Sequence, residues 1–203
     1  MRATLLVLFA IAMPLPAADA DYYPMKIGNK WTFKIGEQDD RFVWTAAKNE
    51  KVGTQDCVLM EARVKGEMVG SEHIAVLKDG IFRFKMGEAV IEPPICFFKS
   101  NARGEKWKET FKIGDMASSA DYSATVEDVD VPAGKFKDAV VVNTQNTYKD
   151  AKSNKDVTFK ASISYAKDIG IIKQAFEETN EKGTFKFTLV LEKFEPAKDE
   201  PKK

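Results

Sequence analysis

Apolar and polar residues alternate along most of this chain, and the spacing typical of helices is hard to find. Trp31, Phe33 and Ile35 fall on one face of a predicted strand, and the residues between them are lysine and threonine. The segments 157–165 and 185–191 alternate in the same way. Such a pattern is typical of an antiparallel sheet with one buried face and one solvated face.

Nine further segments have a strand-like pattern, and turn residues separate them. These segments are 41–48, 55–65, 72–78, 81–86, 89–98, 106–113, 121–130, 138–148 and 170–177. The turns include Lys-Asp-Gly at 78–80 and Pro-Ala-Gly at 132–134. Many short strands without intervening helices predict an all-β domain, built as a curved antiparallel sheet or an open or half barrel.

Three short motifs recur in the same order in both halves of the chain: Gly-x-Lys-Trp (28–31 and 104–107), Phe-Lys-Ile-Gly (33–36 and 111–114) and Lys-Asp (78–79 and 167–168). We therefore predict two pseudo-repeats, at about 22–100 and 101–195. Trp31 and Trp107 would then be matching, largely buried anchors. The alternative is that β proteins reuse such turns and aromatic strand starts independently.

The first twenty residues have the features of an export signal. Met1-Arg2 is followed by the apolar run 5–13, and small residues precede a cleavage position after Ala20. We expect a signal peptide at 1–20, one β-rich domain at 21–195 and a flexible charged tail at 196–203. The apolar run is too short to span a bilayer, so the mature chain is expected to be periplasmic or extracellular, without a transmembrane segment.

Three stretches resemble motifs of poorly characterised bacterial secreted or periplasmic β-rich proteins: YYPMKIGNKWTF at 22–33, VPAGKFKDAV at 131–140 and YAKDIGIIK at 165–173. Proteins of this group are loosely similar to lipoprotein-carrier proteins, whose curved sheets can hold lipid. The resemblance implies a β-sheet fold and an envelope location. It provides no catalytic residues to carry over.

The composition excludes several classes of function. Lysine plus arginine and aspartate plus glutamate number 31 each, so the chain has no net charge and no footprint for nucleic acid. It has no phosphate-binding loop or dinucleotide motif, and we expect no cofactor. His73 is the one histidine, and no nucleophile elbow accompanies it. We interpret it as an exposed or hydrogen-bonded strand residue, and expect His73→Ala to cost less than about 1 kcal/mol of stability.

Cys57 and Cys96 are the only cysteines. In an exported protein an even number of cysteines is consistent with one disulfide, Cys57–Cys96. The alternative is two buried free thiols that pack as small apolar side chains. The sequence leaves both open, because pairing depends on geometry in the fold.

The acidic residues do not form a recognisable metal site. Asp128 and Asp130 share one strand face and Asp39-Asp40 lie in a turn, but neither set fits a calcium loop. We expect no bound metal. Catalytic carboxylate pairs come together only in the fold, so a carboxylate-dependent hydrolase stays open as an alternative.

These observations favour a non-enzymatic binding or carrier module of the bacterial cell envelope. Its curved sheet would hold an apolar, lipid-like ligand or an envelope protein partner. One alternative is a structural or interaction protein whose concave face is simply packed. The carboxylate-dependent hydrolase is the other.

Overall fold

The computed structural model describes residues 20–114, 116–149 and 155–198, which form twelve strands after a short 3-10 helical turn, Ala20–Tyr22. The strands are β1 (Lys30–Ile35), β2 (Arg41–Val52), β3 (Gln55–Val64), β4 (Glu67–Leu77), β5 (Gly80–Met86), β6 (Ala89–Lys99), β7 (Lys106–Ile113), β8 (Met116–Val131), β9 (Gly134–Lys149), β10 (Asp156–Ala166), β11 (Gly170–Asn180) and β12 (Gly183–Glu195). Each strand contains or overlaps one of the predicted segments.

The strands form an antiparallel meander that closes on itself. Every strand pairs with its neighbours in sequence, and β1 also pairs with β12. Trp31 of β1 lies opposite Trp44 of β2 on one side and Phe194 of β12 on the other. The all-β antiparallel prediction is confirmed, but the expected curved sheet or open barrel is instead a closed barrel. Closure pairs the two strands that would otherwise present open edges.

The connections of a meander fall alternately at its two ends. Those that follow the odd-numbered strands lie at one end, which we call the open end, and those that follow the even-numbered strands lie at the other, the closed end. Inward-facing positions carry the apolar residues predicted from the alternation. Trp31 and Phe33 are at most 1% exposed, whereas Lys30 and Thr32, which precede them, are half-buried.

An aromatic cluster fills the closed end, and the segment before β1 contributes to it. Tyr23 stacks on Trp31 with ring centroids 6.1 Å apart, and Tyr22 stacks on Phe98 at 5.4 Å. Phe98 meets Tyr165 edge-on at 4.9 Å. The N-terminal segment therefore acts as a plug that closes this end of the barrel.

The turn between β10 and β11 packs directly on Trp31. The indole Nε1 donates a hydrogen bond to the Ile169 carbonyl at 2.6 Å. Gly170 follows, with φ at +90°, and a Cβ there would lie 3.3 Å from the same indole nitrogen. Glycine suits this position because it adopts the positive φ without strain and leaves room for the indole.

The two Gly-x-Lys-Trp motifs share a backbone hydrogen-bond pattern. The Gly28 N–H donates to the Ala46 carbonyl at 2.8 Å, and the Ala46 N–H donates to the Asn29 carbonyl at 3.0 Å. Around Gly104 the same two bonds join residues 104 and 105 to Ala124, both at 3.0 Å. The motifs are therefore alike locally, while duplication of the whole half-units stays a prediction.

The two tryptophans of these motifs differ in burial. Trp31 belongs to the fully buried core, whereas Trp107 is only partly buried and packs against that core. Trp107 stacks on Tyr122 with centroids 5.1 Å apart. The expectation of two largely buried anchors is thus met by Trp31 and not by Trp107.

The seam between β6 and β7 is the shortest ladder of the barrel. Its register contains two residue pairs, and Glu92 is a member of one of them. Pro93 and Pro94 follow in β6 and have no N–H to donate. Further along the seam, side chains of β7 replace the ladder: the Trp107 Nε1 donates to the Cys96 carbonyl at 2.9 Å, and the Glu109 carboxyl accepts the Cys96 N–H.

The predicted signal peptide lies outside the described residues except for Ala20, and so do residues 199–203 of the predicted tail. The start of that tail is anchored, because the Ala197 N–H donates to Asn29 Oδ1 at 2.7 Å. Within the described ranges, no helix has the length and apolarity needed to cross a bilayer.

Candidate functional site

The barrel interior contains a cavity with two adjoining compartments. The larger has a volume of about 410 Å³ and extends toward the open end, where Met86, Ile113 and Met116 line it. The smaller has a volume of about 180 Å³ and reaches the aromatic plug at Tyr23. The two share six wall residues: Glu72, Arg83, Phe97, Ile163, Gln174 and Phe176. The larger volume lies within the range of pockets that hold small ligands, about 300–1,000 Å³.

Exposed apolar side chains surround the open end. Met68, Val69, Met86 and Met116 lie at strand ends there, and Phe185 is 64% exposed at the start of β12. Most large exposed hydrophobic residues of the described chain are at this end rather than at the plugged end. Apolar side chains around a cavity mouth are typical of sites that bind apolar molecules.

A row of phenylalanines connects the rim with the interior. Phe185 and Phe187 of β12 have ring centroids 5.7 Å apart, and Phe187 stacks on Phe176 at 4.6 Å. Phe159 of β10 continues the row at 6.0 Å from Phe176. Phe159 and Phe176 both line the larger compartment. The row therefore provides a continuous aromatic surface from the mouth to the cavity wall.

An ion pair lies in the wall shared by the two compartments. Arg83 Nε donates to Glu72 Oε2 at 2.8 Å, and the guanidinium lies over the Phe97 ring, 5.0 Å from its centroid. Burial alone would lower the pKa of Arg83, but the charge of Glu72 raises it above its usual value. Arg83 therefore stays charged inside the barrel. A charged pair that faces an otherwise mostly apolar cavity makes this wall a candidate recognition site.

Tyrosine hydroxyls complete the polar part of the interior. Tyr23 accepts a hydrogen bond from Trp44 Nε1 at 2.8 Å, and Tyr122 is hydrogen-bonded to Thr144. Burial raises the pKa of Tyr23, Tyr122 and Tyr165 above the usual value. Their hydroxyls stay protonated and can donate hydrogen bonds.

His73 lies on the outer wall, away from this cavity. Its Nε2 and Glu50 Oε2 are 2.8 Å apart, which is the hydrogen-bonded alternative of the sequence analysis. The side chain is buried, at 6% exposed, and Nδ1 has no partner among the described residues. Ile74 and Val76 face inward, as expected from the alternation. In the described part of the chain, the side-chain hydrogen bond of His73 is with Glu50, and the stability contribution of His73 stays a prediction.

Cys57 on β3 and Cys96 on β6 are both buried, and no disulfide joins them in this structure. Burial raises the pKa of the Cys57 thiol, so this side chain is protonated at neutral pH. The Cys57 thiol lies 3.8 Å from the Gln55 carbonyl oxygen and the Cys96 thiol 3.6 Å from that of Phe98, and the disulfide between them stays a prediction.

The acidic residues considered from the sequence lie in separate surface contacts. Asp128 accepts the Asp138 N–H at 3.2 Å, Asp130 pairs with Lys135 at 3.1 Å, and Asp40 pairs with Lys65 at 3.1 Å. Across the described ranges, histidine, cysteine and acidic side chains form no group of three that could hold a metal ion.

A second concavity lies on the outer wall across β7 to β12, with a volume of about 600 Å³. Charged and amide side chains dominate its lining, and Glu177 there pairs with Lys186 at 2.7 Å and with Lys160 at 3.5 Å. The enclosed apolar cavity is the stronger candidate site.

Sequence reasoning missed Glu72 and Arg83. Their places in the alternation of apolar and polar residues could have revealed them. Glu72 lies two and four residues before inward-facing Ile74 and Val76, and Arg83 lies two residues after Ile81, so each is on the inward face of its strand. A charged residue at an inward position of a strand pattern is a candidate site residue, because burial of an unpaired charge is costly.

Neither a protein-family model nor a curated protein matches this sequence. Two solved structures share its fold. One is "a putative lipoprotein" from Parabacteroides distasonis, with 15% identity and a TM-score of 0.52, covering 86% of this chain and 98% of that one. The other is "a putative exported protein with YmcC-like fold" from Bacteroides fragilis, with 16% identity and a TM-score of 0.50, covering 84% and 97%. Their descriptions are consistent with envelope export; at these identities the likeness extends to the fold alone.

Proposed function

We propose that this chain is an exported binding or carrier module of the bacterial cell envelope, which holds an apolar ligand inside its barrel. The cavity of about 410 Å³ carries the proposal, because apolar side chains line it and an apolar rim surrounds its mouth. A structural protein with a packed core has no need of such a space, since interiors normally pack with few voids.

We also propose that the function is non-enzymatic. The interior carboxylates are already engaged: Glu72 accepts a hydrogen bond from Arg83, and Glu109 accepts the Cys96 N–H. Burial raises the pKa of Glu109, but the hydrogen bond from β6 holds its carboxyl at the seam. A glycosidase-type mechanism needs two carboxyls that both face one substrate bond.

The proposal can be tested with phenylnaphthylamine, a neutral fluorescent probe whose emission rises in apolar surroundings. Ala161 lines the larger compartment, so Ala161→Trp places an indole in the cavity. We expect this variant to weaken probe binding at least about tenfold, because the indole occupies the ligand volume. Ser162→Trp is the matched control, since Ser162 is the next residue in β10 and faces the outer wall.

Mass spectrometry of an organic extract from the native exported protein identifies the bound compound. A protein that yields no extractable ligand and shows no saturable probe binding would contradict the proposal. Equal probe binding by folded Ala161→Trp and Ser162→Trp would place the probe outside the barrel and would also contradict it.

A further inference from the structure

We propose that the ligand is a single-chain amphiphile with an oxyanion head, a carboxylate or a phosphate monoester, and that Arg83 binds this head. The inference rests on the proposed function, since it names the ligand class of the same cavity. The observation behind it is that, in the described part of the chain, the pair with Glu72 leaves N–H donors of Arg83 without a hydrogen-bond acceptor.

The guanidinium of Arg83 has five N–H donors, and the pair with Glu72 uses the one on Nε. Among the described residues, no hydrogen bond is made by its two terminal nitrogens. Arg83 borders both compartments, so these nitrogens face the cavity space. Two parallel N–H groups of an arginine match a carboxylate or a phosphate in bidentate geometry.

Arg83 is held in a fixed orientation before any ligand binds. Glu72 fixes the Nε edge, and the ring of Phe97 supports one face of the guanidinium plane. A preoriented donor loses less entropy on binding than a flexible lysine at the surface would. The site therefore has the rigidity expected of a recognition element.

Neighbouring groups add donors rather than acceptors. Burial raises the pKa of Tyr122 and Tyr165 and keeps both hydroxyls protonated, while the nearby charge of Arg83 lowers the pKa of each. Glu72 is the carboxylate here, and it is paired with Arg83. The guanidinium and these protonated hydroxyls can donate to a head group that accepts several hydrogen bonds.

The remaining wall fits one alkyl chain. Between Arg83 and the mouth, the larger compartment is lined by Ile95, Phe111, Ile113 and Phe159. Its volume of about 410 Å³ is in the lower half of the range for small-molecule pockets, which favours a single chain over a two-chain lipid. The head would lie at Arg83 and the chain would extend along the phenylalanine row to the rim.

The test compares four sixteen-carbon ligands in displacement of phenylnaphthylamine: palmitate, hexadecyl phosphate, hexadecanol and methyl palmitate. We expect the wild-type protein to bind at least one of the two anions about tenfold or more tightly than hexadecanol and methyl palmitate. Palmitate and hexadecyl phosphate together show which oxyanion is preferred. Because this comparison uses the wild-type protein, it does not depend on the folding of any variant.

The double variant Glu72→Gln with Arg83→Met avoids leaving a buried carboxylate unpaired. We expect it to lose the preference for anions while it keeps its affinity for hexadecanol and for the probe. Arg41→Met with Glu192→Gln is the matched control, because that pair joins β2 and β12 and is no part of the cavity lining. The control should keep the anion preference.

The outcomes separate the two proposals. Absence of probe and hexadecanol binding would contradict the proposed function itself. Normal probe binding with equal affinity for palmitate, hexadecyl phosphate and hexadecanol would overturn the head-group inference alone. An anion preference that persists in the folded Glu72→Gln, Arg83→Met variant would also overturn it, since the preference would then come from another group.

Discussion

The two tryptophans of the Gly-x-Lys-Trp motifs provide a matched pair of substitutions. Each donates its indole N–H to a backbone carbonyl, Trp31 to Ile169 at 2.6 Å and Trp107 to Cys96 at 2.9 Å. Their surroundings differ, because Trp31 is 1% exposed and Trp107 is partly buried. We expect Trp31→Phe to reduce the free energy of unfolding by about 2–4 kcal/mol and Trp107→Phe by about 0.5–1.5 kcal/mol.

The expected size of the first effect comes from two contributions. Loss of the indole N–H leaves the Ile169 carbonyl beside the buried ring without its donor, which costs about 1–3 kcal/mol. The smaller ring also leaves a void beside Tyr23 and Gly170, which costs about 1 kcal/mol or more, depending on how far the neighbours relax. At Trp107 the Cys96 carbonyl loses its donor in the same way, so the smaller expected cost comes from the smaller packing area lost by a partly buried side chain.

Urea unfolding followed by far-UV circular dichroism measures both effects without relying on tryptophan emission. Stabilities are compared by linear extrapolation, with m-values of about 1–3 kcal/mol/M. If Trp107→Phe is as costly as Trp31→Phe, or if Trp31→Phe costs less than about 1 kcal/mol, burial does not decide the contribution of these side chains and our reasoning is wrong.

Two further substitutions test the backbone and the outer wall. Gly80→Ala should cost more than about 3 kcal/mol, because the new Cβ would clash with the Phe98 carbonyl oxygen. Gly53→Ala, at a positive φ but in open space, should cost about 1–2 kcal/mol, and equal urea midpoints for the two variants would refute this reasoning. Hydrogen bonds from Lys48 and the single histidine hold the pKa of Glu50 below its usual value. This carboxylate therefore stabilises the fold above its unfolded-state pKa and loses that contribution as pH falls through its folded-state pKa. Glu50→Gln should lower Tm at pH 7, with a difference from wild type that shrinks toward about pH 3; a difference that grows in acid would contradict the assignment.

The strands were predictable because their information is local. Alternation of apolar and polar residues decides which side of a strand faces the core, and this holds for β1 as for β12. Closure was not predictable, because it depends on pairing between the first and last strands. Trp31 and Phe194 are neighbours across that ladder, although no pattern near either residue indicates the other.

The candidate site was harder to predict than the fold. Glu72 and Arg83 interrupt an apolar face, and each looks in sequence like an ordinary solvated strand residue. The alternation gives their inward facing, but only the register of β4 and β5 brings the two charges near each other, with Ile74 opposite Arg83 and Met86 opposite Glu72. The same applies to the thiols, since the sequence left pairing and free burial equally open.

The short ladder between β6 and β7 affects how the barrel can deform. A closed barrel of evenly paired strands has a fixed circumference, because separating any two neighbouring strands breaks a full ladder of hydrogen bonds. Here two residue pairs and the side chains of Trp107 and Glu109 hold the seam. Separation of β6 from β7 therefore breaks fewer bonds than separation of any other pair of strands. The circumference can expand at this seam and contract again, so the barrel can adjust to contents of different thickness while its other eleven ladders stay intact.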